Sequence, residues 1–599
     1  MYIRFATRSI HAKALALILL ALAATCAIAQ NDAPMRAMQD ELKRSISQLR
    51  LQQMDKPYFL AYRMDEINST TISAMLGSLT STKPLRTRLI GVEIRVGDYA
   101  LDNSNFMSPR SFGGLGGMIG VSQAPLDDNY EQIRRQFWLA TDARYKKALE
   151  DLSAKRAALQ MRKRSDEVPD FSKEPPATET EANNAAKADV HDLENLAREL
   201  SGVFKSTPEI FSSSVVVNYN NVYTRYVNSE SSTFTRSQPV FKLQISAQTQ
   251  AADGLPISDS LELYGRSIAD LPAKDVLLAR TRDMSARILK LRAAASIDRY
   301  NGPVLFEGEA AGEIFTQQFA TGLMAVRAPS SDDPRFEVFF NQMMQQLGGS
   351  PSFTDKIGGR VLPEFLSVSD NPLLNEFKGS KLFGGYKIDD DAVKARETKL
   401  IDHGILKTVL DTRVPVKTVP HSTGSRRGIG PSPSNLLVTS DKAVSNEDLR
   451  KELLRRVKDR GLDYGIVVRR VGGGSASSFM RMASRMAAQS DSGSSAAIAE
   501  VYKLFPDGHE ELVRGLEISE MTPAAFKDIV AVGDKPVVFT DEFMPRVGAI
   551  FAMGMTSASP DMPVVSCVIP SLLFEEVSLA KSPGPFPNPP ISPSPLAKQ

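Results

Sequence analysis

The side chains able to bind a metal or attack a carbonyl are few and widely spaced in this sequence. Apart from His11, its histidines are His191, His403, His421 and His509, and no two lie within five residues of each other. A zinc site that activates water needs two or three His, Cys, Asp or Glu ligands with a carboxylate as base. No zinc-protease helix supplies them. Asp389-Asp390-Asp391 could hold a cation, although a charged turn is the commoner outcome for such a run. Glu307, Glu309 and Glu313 are similar: Glu309 and Glu313 share a helix face at i, i+4, where acidic first-turn residues complement the helix dipole. No serine sits in a G-x-S-x-G elbow. Val471-Gly472-Gly473-Gly474 lacks the remaining residues of a phosphate-binding loop and reads as loop. Cys567, inside the apolar run Pro563 to Pro570, reads as a buried, inert thiol.

The chain that must position these groups has 599 residues, enough for at least two domains of about 100–200 residues each. With 42% hydrophobic and 24% charged residues, a largely disordered chain, a fibre and a polytopic membrane protein are excluded. Residues 1–29 have the form of an export signal: Arg4, Arg8 and Lys13, the apolar run Ala14 to Ala24, then Ala27-Ile28-Ala29 as a cleavage site. The apolar run is shorter than the roughly 20 residues that span a bilayer. Lipidation at Cys26 is disfavoured because Ala23, not leucine, stands three residues before it. Removing the signal turns a net charge of +2 into −1 and leaves Cys567 as the one cysteine, so no internal disulfide forms. Such a balance gives no global field for nucleic acid or an anionic membrane surface. A periplasmic or secreted protein without stable membrane insertion is expected.

Hydrophobic spacing predicts the elements. Met38, Leu42, Ile46 and Leu49 mark an amphipathic helix over 35–51. Tyr58 to Tyr62, Thr70 to Leu76 and Arg88 to Val96 are β-rich runs, the last alternating Ile90, Val92, Ile94 and Val96. Asn103 to Ala124 is a Gly, Ser and Pro-rich loop. A long helix follows from Asp128 to about Arg164, with a seam of Leu139, Ala143, Leu149, Leu152 and Leu159. Ser165 to Asp189 has almost no large apolar residue and reads as a mobile tip or linker; helix resumes from His191 to Phe204, completing a helical hairpin inserted at about 128–204. Two β-runs between Ser212 and Thr249 rejoin the sheet, and Ile268 to Ala295 is helical. A boundary near Asn301-Gly302-Pro303 closes an N-terminal domain, 30–300, and opens a β-rich domain, 301–580; Lys581 to Gln599 is a proline-rich, disordered tail.

The second half carries a set of segments that resembles the TldD/PmbA family of peptidase-related proteins. They are Pro303 to Phe315, Lys356 to Asp370, Gly385 to Arg396, Ile401 to Lys407, Ser434 to Val438, Tyr464 to Arg469, Phe505 to Gly515 and Pro570 to Glu576. The resemblance implies an α+β fold, with a smaller N-terminal α/β domain ahead of a larger β-rich C-terminal domain. The catalytic branch of the family carries His-Glu-x-x-x-His, two zinc-binding histidines and a glutamate that polarises water, with a cysteine near the C-terminus completing the site. In the corresponding stretch here Thr316 and Thr321 replace the histidines and Gln317 replaces the glutamate. The segment matching the cysteine loop, Gly554 to Val564, has no cysteine. Threonine is a poor zinc ligand and glutamine cannot accept a proton.

No catalytic or metal-binding residue is therefore assigned, and no cofactor is expected in this chain. The resemblance implies a PmbA (TldE)-like member, paired with a zinc-bearing TldD-like paralogue and enclosing a chamber for unfolded peptide. Two alternatives remain open at this stage: a non-enzymatic peptide-binding or scaffold protein of the cell envelope, and an active peptidase built from His403, His421 or His509.

Overall fold

The computed structural model describes residues 32–107, 121–161, 167–184, 189–325, 327, 329–339, 342, 352–428, 430–472, 496–519, 521–543, 562–582, 584–590, 592 and 594–596. The export signal, the glycine-rich loop after Val471 and most of the segment matched to the cysteine loop lie outside them. The fold is α+β in two domains.

In the N-terminal domain, β1 (Pro57–Met75) and β2 (Ser78–Val96) form a long antiparallel hairpin, with β3 (Val121–Gln123) on β2. β5 (Ser212–Asn228) and β6 (Thr233–Gln250) form a second hairpin alongside β1, flanked by β4 (Thr178–Thr180) and β7 (Pro256–Gly265), both on β6. Side chains alternate across these strands. Leu60, Tyr62, Met64, Ile72 and Ala74 face helices α1 (Ala33–Gln48), α2 (Tyr130–Met161), α3 (Val190–Gly202) and α4 (Lys274–Ala293). Phe59, Ala61, Ile67 and Ser69 face the C-terminal domain or the space before it. Ile90, Val92, Ile94 and Val96 fall on the helix side, as their alternation predicts.

The helices depart from the sequence expectation in instructive ways. α2 and α3 do not form a hairpin: α2 packs with α1 on β2, whereas α3 packs on β1 and β5 beside α4. The buried face of α2 is Ile133, Phe137, Thr141, Tyr145, Ala148 and Leu152, and Leu139 is exposed. Thr141 hides that stripe from a hydropathy reading because its hydroxyl is matched, lying 2.7 Å from Tyr62 Oη and donating to Phe137 O. Similarly Ile46 of α1 is exposed, while Met35, Met38 and Leu42 are buried. Pro272 splits the predicted Ile268 to Ala295 helix into a short turn and α4. Residues 167–184, expected to be a mobile tip, are packed: Asp170, Phe171, Ser172 and Ala177 are buried, and β4 adds to the sheet.

In the C-terminal domain, β8 (Arg299–Phe306) runs straight through the expected boundary at Asn301-Gly302-Pro303. It pairs with β12 (Gly465–Val471) and β16 (Leu572–Lys581) in a nine-stranded sheet that includes β13 (Ala496–Leu504). A six-stranded sheet carries β9 (Leu366–Asp370), β10 (Thr398–Asp402), β11 (Asn435–Ser440), β14 (Val537–Glu542) and β15 (Val564–Ile569). Val304 and Phe306 turn into the core shared by the two sheets and the short helix α5 (Glu309–Ile314), while Leu305 turns outward onto Leu449 and Leu453 of α6 (Asn446–Asp459). The proline-rich tail is partly docked: Phe586 packs beside Leu255 against the N-terminal core, and Gln250 Nε2 donates to Pro587 O.

Candidate functional site

The motif positions lie just beyond β8. Gly308, at φ 58°, starts α5, which widens into a π turn over Phe315–Phe319 and tightens over Ala320–Leu323. A Cβ on Gly312 would collide with the Phe539 side chain, so glycine is what lets the helix lie on β14. Thr316 is buried, and its hydroxyl donates to Gly312 O at 2.8 Å and to Glu313 O at 3.1 Å. Gln317 is half-buried. The Thr321 hydroxyl is buried without a partner among the described residues. One turn earlier, the buried Glu313 accepts the Val471 N–H. Burial pushes its carboxyl up to about 8, against the pull of Arg470 and the Val471 amide.

This donor set does not fit zinc. Thr316 spends its hydroxyl on its own helix, and neither Gln317 nor Thr321 offers an imidazole, thiolate or carboxylate. Cys567 is fully buried within β15, and burial pushes its thiol above the ordinary range. Three of the four described histidines have a carboxylate neighbour: His403 lies 3.8 Å from Asp441, His421 lies 3.7 Å from Glu174, and His509 pairs with Asp507. Among the described residues, no group of three His, Cys, Asp or Glu side chains could hold a metal ion.

A different concavity lies away from the motif positions. Between the helix-free face of the N-terminal sheet and the C-terminal domain lies a cleft of about 1540 Å³. Its sheet wall mixes amides with apolar groups, among them Asn218, Gln238, Gln244, Ile67, Val216 and Val240. Its other wall includes Phe383, Tyr386, Met562 and Val564. None of the three motif positions lines it. Ion pairs tie the walls together: Lys242 Nζ, held at 3.0 Å by Glu262 of its own sheet, meets Glu542 at 2.9 Å, while Asp390 meets Arg63 at 3.0 Å and also Arg236.

The Asp389-Asp390-Asp391 run is thus neither an exposed charged turn nor a cation site; all three side chains are buried between the domains. For Asp390, burial opposes ionisation, but Arg63 and Arg236 outweigh it and hold the carboxyl below its usual range. Asp391 Oδ1 accepts from Arg426 Nη1 at 2.5 Å. Asp389 accepts the backbone N–H groups of Asp391, Val393 and Arg426; burial and the Asp391 charge raise its carboxyl well above the ordinary range. In sequence, these aspartates are separated from Arg63 and Arg236 by more than 150 residues, so no local pattern reveals the pairing.

Residues 299–581 match the family model of the PmbA/TldA metallopeptidase C-terminal domain. A metalloprotease of Methanocaldococcus jannaschii is 43% identical over 61 residues, a match that spans 10% of this chain and 12% of that protein's length. TldE from Thermococcus kodakarensis superposes with a TM-score of 0.52 at 12% identity, covering 91% of this chain and all of that one. A proposed modulator of a DNA gyrase from Thermotoga maritima MSB8 gives a TM-score of 0.53 at 16% identity, covering 87% of this chain and 96% of that one. At such identities the superpositions speak for the fold alone, and the sequence match fixes the lineage: through residues 299–581 the chain belongs to the TldD/PmbA family of metallopeptidase-related proteins.

Proposed function

We propose that this chain is an exported, non-catalytic member of its family, which holds an extended, unfolded peptide in the interdomain cleft and acts beside a zinc-bearing, TldD-like paralogue. The observation that carries this reading is the turn after β8. At positions 316, 317 and 321 it offers two threonines and a glutamine, and the Thr316 hydroxyl is already committed to its own helix. Water activation and proton acceptance both lack a group to perform them there. The cleft is sized for several residues of extended chain, and its amide-bearing wall suits main-chain hydrogen bonds.

The test uses the mature chain purified alone and with a paralogue that carries His-Glu-x-x-x-His. Alone, the chain should retain far less than one zinc per molecule by elemental analysis and leave unfolded peptides uncut. Stoichiometric zinc with chelator-sensitive cleavage by the lone chain would overturn the proposal.

A second reading, a peptide-binding or scaffold protein of the cell envelope with no catalytic partner, is favoured by the separation of the cleft wall from the three motif positions. Co-purification separates the two: stable recovery of the zinc-bearing paralogue supports the first, and peptide binding without any such partner supports the second.

A further inference from the structure

The cleft is lined by five cationic side chains, Arg236, Lys242, Arg266, Lys387 and Arg427, against three carboxylates, Glu181, Asp390 and Glu542. Three of the cations are matched: Arg236 by Asp390, Lys242 by Glu262 and Glu542, and Lys387 by Glu179. Arg427 differs. It is only 8% exposed, on the short strand Arg426–Arg427 that pairs with Gly430–Pro431. Its Nη1 donates to Pro433 O at 3.0 Å and to Val564 O at 2.9 Å, and its Cζ lies 5.4 Å from the centre of the Tyr386 ring. These contacts fix the guanidinium plane. No carboxylate forms an ion pair with Arg427 among the described residues, and its Nε and Nη2 carry no hydrogen bond, yet neither is sealed from solvent. The free edge of a rigid, largely buried guanidinium therefore opens on the cleft that Arg427 lines.

Burial holds this group below the ordinary guanidinium range and Arg236 adds to the effect, while Tyr386, Asp390 and Asp370 act the other way. It stays charged, because no protein environment of this kind deprotonates arginine. A charge kept largely out of water without a counter-ion is costly unless a ligand supplies one. Arg266, exposed and without an ion pair among the described residues, adds a second uncompensated charge on the same cleft.

The geometry points to a carboxylate-binding subsite on the C-terminal wall of the cleft, in which Nε and Nη2 of Arg427 receive, side-on and bidentate, a carboxylate of the bound peptide. Planar recognition of this kind suits arginine and a carboxylate. The inference rests on the peptide reading of the cleft above, and extends it from main-chain binding to selection for an acidic group.

Three fluorescein-labelled decapeptides of Gly, Ser, Ala and Thr test it by anisotropy with the full mature chain. One ends in a free carboxylate, one in a carboxamide, and one in a carboxamide with a central Glu. At least one acidic peptide should bind roughly tenfold or more tightly than the neutral one. An advantage for the first assigns the α-carboxylate as the ligand, and for the third an acidic side chain. Arg427→Met, checked for an unaltered unfolding profile, should abolish that advantage. The comparison on the parent chain needs no substitution, so it stands even where the variant misfolds. Equal affinity for all three peptides would overturn the subsite and leave the peptide reading intact; failure of all three to bind would overturn the peptide reading itself.

Discussion

Glu313 shows how a buried carboxyl is governed by its setting. Its carboxyl is buried beside Arg470, with Glu309 and Asp541 adding negative charge, and it titrates at about 8 instead of near 4.5. The folded protein therefore holds a proton there that the unfolded chain releases above about 4.5. Where the native state binds more protons, stability falls as pH rises. The contribution of Glu313 is fully present below the unfolded value and is lost progressively until the pH passes about 8. Glu313→Gln keeps an acceptor for the Val471 amide and removes the titration. In urea unfolding, the variant should match the parent near pH 5 and exceed it by about 1–3 kcal/mol at pH 8.5. A stability difference independent of pH would contradict this account. The sequence places Glu313 on a helix face but cannot supply its buried partners, because Arg470 and Asp541 come from strands more than 150 residues away.

At the scale of elements, legibility followed how cleanly polar and apolar residues separate. β2 was readable because Ile90, Val92, Ile94 and Val96 alternate with polar neighbours over a half-buried strand. The inward face of α2 was not, since Thr141 sits within it and Leu139 outside it. The tail misleads for the opposite reason: its prolines signal an extended chain, but an aromatic and a few backbone hydrogen bonds dock it. Phe586 is half-buried against the N-terminal core, and Lys581 N and Ser582 N donate to Asp298 O and Gly515 O just before it. Phe586→Ala should cost about 1–2 kcal/mol, less than the 3–5 kcal/mol typical of a fully buried phenylalanine. Pro587→Ala, whose carbonyl survives, should stay within about 0.5 kcal/mol of the parent. Denaturant midpoints of the two variants decide it; equal effects would show that the tail is held by its backbone alone.

At the scale of the whole molecule, the domains are joined by buried charge beside an apolar cluster in which Ile388 and Ala392 meet Phe59 and Phe171, and much of both converges on the segment expected to be mobile. The Phe171 ring is sandwiched between Arg95 and Arg413, whose Cζ atoms lie 3.7 and 3.9 Å from its centre. Arg413, from the C-terminal domain, donates to Ser172 O at 2.6 Å and to Glu230 at 2.6 and 2.9 Å. Arg327 donates to Pro169 O at 2.6 Å and to Val168 O at 3.1 Å. Asp170 holds Lys155 at 2.6 Å. Composition marks this stretch as apolar-poor, which is true, but buried guanidinium groups need carbonyls and carboxylates rather than apolar partners, and a polar segment provides them. Replacing residues 167–184 with a Gly/Ser linker of equal length would delete the Asp170 carboxylate that pairs with Lys155 and the Phe171 ring between Arg95 and Arg413, release the backbone whose carbonyls face Arg413 and Arg327, and uncover Phe59, Tyr226 and Phe234, which pack with Phe171. Breaking buried charged contacts costs about 3–5 kcal/mol each time a partner is removed. The replacement should therefore lower the thermal midpoint by roughly ten degrees or more. It should also separate the unfolding of the two domains into distinct calorimetric transitions, because the interface that makes them cooperate is gone. A single transition at the parental temperature would show that the segment merely lies on the interface and that the ion pairs around the cleft, Arg63 with Asp390 and Lys242 with Glu542, suffice to hold the domains together.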